Sequence, residues 1–343
     1  MLQKIAPQTL RIIALLAVMV LITLFFTSQI DGFLNGRLFN RISSSVAIMA
    51  LIATGQTLVI LTRNIDLSVG SIVGFVAFAS GLFITNHPDL NPFLLVAFCA
   101  VLGAGFGLIN GLLVAYAKVP SIIVTLATMA LFRSTLVEYT NGKSITTDNL
   151  PHWLTDLPNE VLFSAGAMEF RAGFCASVAV VVLVHLCMTK LRPARQIYAV
   201  GSNPEAADLA GIDAARVVLV AFVLSGLMAG LAGFMFLARF GNITVVAGLG
   251  FELKSVASAV VGGVNIFGGS GSVIGAFFGA ILVDLLETGL VRWPVVSEFW
   301  HDAVLGGLIL LAVATDTILS RRLGAIRAAR AQKESLAARE AKQ

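Results

Sequence analysis

Residues 42–86 read ISSSVAIMALIATGQTLVILT RNID LSVGSIVGFVAFASGLFITN. Two uncharged runs, Ile42–Thr62 and Leu67–Asn86, flank four residues that include an Arg, an Asn and an Asp. Each run reaches the roughly 20 apolar residues that a helix needs to cross a bilayer. Almost no loop separates them, so the pattern is a helical hairpin turned back through a membrane.

The same pattern recurs along the chain. Ile12–Ile30, Leu90–Ala117, Ala172–Thr189 and Val217–Ala238 are uncharged, Val119–Val137 is interrupted only by Arg133, and Ala303–Ser320 carries Asp316 near its end. Ser255–Val283 is too long for one ordinary helix, and Gly262, Gly263, Gly268, Gly269 and Gly271 crowd its middle. Glycine loosens helices and permits turns. The run divides into a short segment at 253–267 and a full span at 271–290. Backbone that is not helical at membrane depth must face protein or water, so the glycine cluster belongs inside the bundle or beside a cavity.

These segments number ten, and the expected fold is an all-α polytopic bundle. Composition agrees. Hydrophobic residues make up 57% of the chain and charged ones 12%, against about 25% charged in soluble domains. Lys4 and Arg11 precede the first run as in a signal peptide, but no small-residue cleavage site follows, so it reads as a retained helix. With the N-terminus inside, the inside regions hold most of the 23 basic residues, and both termini are expected in the cytoplasm. Residues 1–320 form one expected membrane domain, with 190–216 its largest inside loop. Residues 321–343 form a basic tail suited to anionic lipid, with no nucleic-acid role assigned to it.

Chemistry-bearing motifs are few. Asn141-Gly142-Lys143-Ser144 contains the end of a phosphate-binding loop, but Val137 stands where its first glycine belongs and no strand precedes it. The four histidines are scattered, and Cys99, Cys175 and Cys187 read as small buried hydrophobes. No cofactor, metal site or catalytic set is expected. Glycines recur every fourth residue at Gly103, Gly107 and Gly111, at Gly226 and Gly230, and at Gly271, Gly275 and Gly279. Such ladders let helices approach closely.

Two polar stretches stand out. In Gly201–Ile212, Asn203 is a good N-cap, Pro204 suits the first helical position, Glu205 complements the helix N-terminus and Gly211 suits the residue after the end. This is a short capped helix, either a plain connector or a docking helix for a partner. In Thr62–Ser71, Asp66 and Ser68 can cap the next helix, or the polar groups can line a pathway. Asp66–Gly74 faintly echoes Glu252–Gly262 with one residue inserted, as inverted repeats in transporters do. Arg133 can reach the interface, or contact substrate or a carboxylate such as Asp284 or Glu287, which share a helix face.

Together these stretches resemble the permease family of bacterial ribose, xylose, arabinose and galactose importers. The resemblance is carried by Ile65–Ser71, Gly107-Leu108-Ile109-Asn110-Gly111, Pro120–Leu126, Gly201–Ile212 and Ala259–Ser272, in the family's order over about residues 40–315. Thr62-Arg63-Asn64 before the Ile-Asp-Leu-Ser motif is more similar to the rhamnose and autoinducer-2 branch.

The resemblance implies a permease subunit, without an ATPase site of its own, of an ATP-binding cassette importer in the bacterial inner membrane. It would carry a monosaccharide or sugar-like solute. Its implied partners are a cytoplasmic ATP-binding subunit, a second permease subunit, a periplasmic sugar-binding protein and membrane lipid. Gly201, Asn203, Pro204, Glu205, Ala206, Ala207 and Gly211 would couple to the ATPase. Asn64, Asp66, Ser68, Asn110, Thr125 and Asn265 would line the pathway or brace it. The rival reading is an ion-coupled secondary transporter of a small polar solute, which would need ionisable groups deep within spans; a membrane enzyme would need a constellation that the sequence lacks.

Overall fold

The computed structural model describes residues 7–140 and 143–295, with isolated residues from 297 to 314. In chain order its helices are α1 (Pro7–Gln29), α2 (Gly36–Leu61), α3 (Val69–Asn86), α4 (Pro92–Ala115), α5 (Ser121–Thr140), α6 (His152–Asp156), α7 (Ala172–Lys190), α8 (Arg192–Ser202), α9 (Pro204–Leu209), α10 (Ala214–Phe240), α11 (Phe251–Val261) and α12 (Val273–Arg292). Among the described residues, eight of these are long and apolar enough to cross a membrane: α1–α5, α7, α10 and α12. The short segment expected at 253–267 is α11, whose eleven residues rise only about 16 Å, too little to span. The tenth expected span, Ala303–Ser320, and the tail 321–343 lie largely or wholly outside the described residues.

One part of the fold is not helical. Val161–Ala165 (β1) and Met168–Arg171 (β2) form an antiparallel hairpin, so the all-α expectation needs correcting there. Gly166, at φ +63°, makes the tight turn that two-residue hairpin loops require. Phe163 stacks on its cross-strand partner Phe170 at 4.4 Å. The hairpin sits on the start of α2, where Asn40 Oδ1 accepts from the Glu169 N–H at 2.9 Å.

Helix α2 is the spine, buried without a break from Val46 to Leu61. The glycine ladders explain how its neighbours close around it. A Cβ on Gly103 would strike Gly226 and Gly230, and one on Gly226 would strike Gly103 and Gly107. The ladders of α4 and α10 are therefore partners. Gly275 and Gly279 of α12 likewise lie against Gly262 and Ser258 at the end of α11. The outer surface is apolar: Phe93, Val101, Leu183 and Leu21 are more than half exposed, as lipid-facing side chains should be. Cys99 is fully buried, while Cys175 and Cys187 are only half-buried.

Candidate functional site

The separate stretches that carried the family resemblance converge on the connector between α2 and α3. Asp66 and Ser68 are fully buried there, with Asn110 of α4. Asp66 Oδ1 accepts from the Ser68 N–H at 3.0 Å and from its hydroxyl at 2.6 Å, and Oδ2 accepts from the Ser225 hydroxyl at 3.3 Å. The amide of Asn110 donates to Ser68 Oγ at 2.7 Å. Oriented to satisfy both its ends, Gln56 donates to the Asp66 carbonyl at 3.0 Å and accepts from the Asp66 N–H at 3.3 Å. From α5, Ser121 accepts the Ile65 N–H at 3.2 Å, and Thr125 donates to the Ile65 carbonyl at 3.3 Å.

This network makes Asp66 a clamp that ties α2, α3 and α10, with α4 joined through Ser68 and α5 through Ile65. The Ser68 side chain makes no cap bond to α3, contrary to expectation, because its hydroxyl is taken by Asp66 and Asn110. Asn64 only closes its own turn, donating to Thr62 at 2.9 Å. Asn265 does the same in the glycine loop, where its Oδ1 accepts from the Phe267 N–H at 2.9 Å.

Gly201–Ile212 folds as its sequence dictates. Asn203 Oδ1 accepts from the Ala206 N–H at 3.1 Å, Pro204 opens α9, and Gly211 turns the chain at φ +78°. Within α9 only Ala207 is buried, while Glu205, Ala206, Asp208 and Leu209 project outward, Leu209 being 91% exposed. The base of this projection is rigid. Arg63, held at φ +67°, donates from Nε to the Gly201 carbonyl and from Nη2 to the Ser202 carbonyl, both at 2.6 Å. These are the last carbonyls of α8, where a cation is favoured. The Gly269 N–H donates to the Leu61 carbonyl at 3.0 Å. A Cβ on Gly201 would collide with Leu61 and Gly269, so only glycine fits where the three segments cross. Tyr198 donates to the Gly271 carbonyl at 3.4 Å, and burial pushes its phenol pKa up. Arg63 read in sequence only as part of a charged turn, since its partners lie more than 130 residues away.

Arg133 does not reach Asp284 or Glu287. Its Nη1 donates to the Val245 and Ala247 carbonyls at 2.9 and 2.6 Å, holding the irregular stretch before α11. That stretch brings the two echoing segments together: a Cβ on Gly70 would strike Glu252 and Gly248. Asp284 and Glu287 instead line a cavity of about 320 Å³ between α2, α10, α11 and α12, at the end of the bundle opposite α9. Lys254 pairs with Glu287 at 2.6 Å. Arg239 and Lys254 lie close enough to Asp284 to attract it, and Ser45 lines the same cavity. The sequence placed the two acids on one face but gave no sign of the cations opposite them.

Comparison with known proteins gives a consistent outcome. Residues 38–313 match the family model described as branched-chain amino acid transport system / permease component. The autoinducer 2 import system permease protein LsrC of Yersinia enterocolitica serotype O:8 / biotype 1B is 37% identical over 303 residues, covering 88% of this chain and 80% of its own length. The protein of that name from Escherichia coli O9:H4 is 37% identical over 312 residues, covering 90% and 87%. That from Enterobacter sp. (strain 638) is 35% identical over 82% of this chain and 79% of its own. The autoinducer-2 branch to which Thr62-Arg63-Asn64 pointed is the one these relatives bear out. No solved structure matches the chain.

Proposed function

On the premise that this multi-pass membrane chain belongs to the family of branched-chain amino acid transport system permease components, we propose that it forms the translocation path of an ATP-binding cassette importer. Its solute is sugar-like, with autoinducer 2 the first candidate. The family description names branched-chain amino acids, but relatives more than a third identical over nearly the whole chain weigh more in choosing the solute. A separate ATP-binding subunit drives it, a second permease completes the path, and a binding protein delivers solute from the opposite face. The chain sits in the bacterial inner membrane with both termini in the cytoplasm, Ala303–Ser320 as its last span and 321–343 as its tail.

The observation that carries this reading is α9. A helix of six residues is too short to be stable alone, yet this one is capped, fastened at its base by Arg63 and exposed on nearly every side. That is the form of a knob for a partner's groove. Its base joins the α2–α3 connector and the glycine loop, so a push on α9 reaches the spine of the bundle.

Mild detergent extraction of the tagged chain, with identification of what copurifies, tests the proposal. An ATP-binding subunit is expected, and replacing Glu205, Ala206 and Ala207 with bulky basic residues should release it. Recovery of the chain alone, with uptake that collapses under a proton uncoupler while ATP is maintained, would overturn it in favour of an ion-coupled transporter.

A further inference from the structure

The chain between α10 and α11 is not helical, yet it runs at membrane depth along α3. Ile243 pairs with Ile145, which a Cβ on Gly81 would touch. A Cβ on Gly74 would strike the Ala247 carbonyl, and one on Gly70 the Gly248 carbonyl. Gly70 and Gly81 stand about 16 Å apart along α3, roughly half of the ~30 Å hydrocarbon core. Over that depth the stretch is held by turns. The Ala247 N–H donates to the Thr244 carbonyl at 3.0 Å, and the Leu249 N–H to the Val246 carbonyl at 3.1 Å. Gly248 and Gly250 take positive φ. Arg133, from within the span α5, holds two of its carbonyls, and Glu252 lies close enough to attract that arginine.

The inner side of this stretch is covered by α3. Its outer side is open: Val246, Leu249 and Leu253 are 61%, 68% and 61% exposed. The N–H of Val246 has no hydrogen-bond partner among the described residues. Lipid suits Val101 of α4 and Leu183 of α7, whose helices bond their own backbone. It does not suit this face. Non-helical backbone at membrane depth must meet protein or water, and ionisable groups there face a bundle interior or a water-filled cavity. Transporters use interrupted helices in this way. We propose that residues 245–250 and the start of α11 line the water-filled path of the permease, with the second permease subunit facing them across it. The side chains of Val246, Leu249 and Leu253 offer a solute no hydrogen bond, so the face guides it without holding it. The proposal rests on the importer reading above, since it assigns that importer's path to these residues.

The test uses the transporter assembled with its ATP-binding and partner permease subunits in liposomes. Val246→Cys, Leu249→Cys and Leu253→Cys are each treated with a charged, water-soluble thiol reagent. Val101→Cys and Leu183→Cys serve as lipid-facing references, and the native chain, with its own cysteines, sets the background. At least two of the three positions are expected to label tenfold faster than either reference. The bulky adduct there should cut ATP-driven uptake at least tenfold, taking autoinducer 2, L-rhamnose or D-ribose, whichever the wild type carries. Labelling no faster than the references would overturn the proposal, because the face then meets lipid or a dry protein seam. Fast labelling that leaves uptake intact would overturn it too, because the face then meets water outside the path. Failure of the importer reading shows separately, as a wild-type chain that recovers no ATP-binding subunit, and the labelling rates still report whether the face meets water.

Discussion

At the end of the bundle that carries α9, Asp66 has both carboxylate oxygens partnered, by Ser68 and Ser225, and its own backbone is bonded to Gln56. At the opposite end Asp284 is almost as deeply buried beside a cavity, but one of its oxygens has no hydrogen-bond partner. The same residue type thus stands in two states. A buried carboxylate with all its partners is a brace, because removing it strands several donors at once. A buried carboxylate with a missing partner is a weaker brace, because one of its oxygens has given up water without gaining a donor. Burial alone does not distinguish the two, and neither does the neighbouring sequence.

That contrast can be broken by mutation. The largest effect is expected from Asp66→Ala, which strands Ser68, Ser225 and the Ser68 N–H. It should destabilise the detergent-solubilised chain by about 3–5 kcal/mol, read as a fall in membrane level and in thermal midpoint. If it is neutral, the network is not a brace. Gly201→Ala comes next. Its Cβ would collide with Leu61 and Gly269, and overpacking of this kind costs about 1–3 kcal/mol, visible as a lowered thermal midpoint and weakened recovery of the ATP-binding subunit.

Smaller effects sharpen the picture. Arg63→Lys keeps the charge but loses the fork that holds two carbonyls at once, so about 1–2 kcal/mol should be lost. ATP-driven uptake should fall more than the membrane level does. Asn203→Ala removes only the N-cap of α9, worth about 1 kcal/mol, and should weaken ATPase recovery with the rest of the fold intact. The smallest stability change is expected from Asp284→Asn, at about 1 kcal/mol or less, because the carboxylate it replaces is under-bonded to begin with. A loss as large as that of Asp66→Ala would erase the distinction between the two ends.

Much of the fold was legible because a bilayer imposes a length and a polarity on each span. The eight crossing helices coincide with the apolar runs to within a few residues. The division of Ser255–Val283 followed from the glycines, which take positive φ at Gly263, Gly268, Gly269 and Gly271. The capped helix α9 was legible because its cap, proline and terminal glycine act within a few residues of one another. The β-hairpin was not. Its Gly166 turn and its Phe163–Phe170 pair lie in a stretch too short and too polar for a span, and short strands carry a weak local signal.

The sequence by itself determined that the chain crosses a membrane many times, where the spans lie, and that Gly201–Ile212 is a short capped helix. These are properties of near neighbours, and near neighbours are what a sequence records. Only the tertiary structure decided that the ladders of α4 and α10 face each other, that Arg63 grips the end of α8, and that Asp66 is satisfied while Asp284 is not. Those facts depend on groups brought together from 40 to 240 residues apart. A hydrogen bond is fixed by distance and angle in space, and separation along the chain carries no information about either.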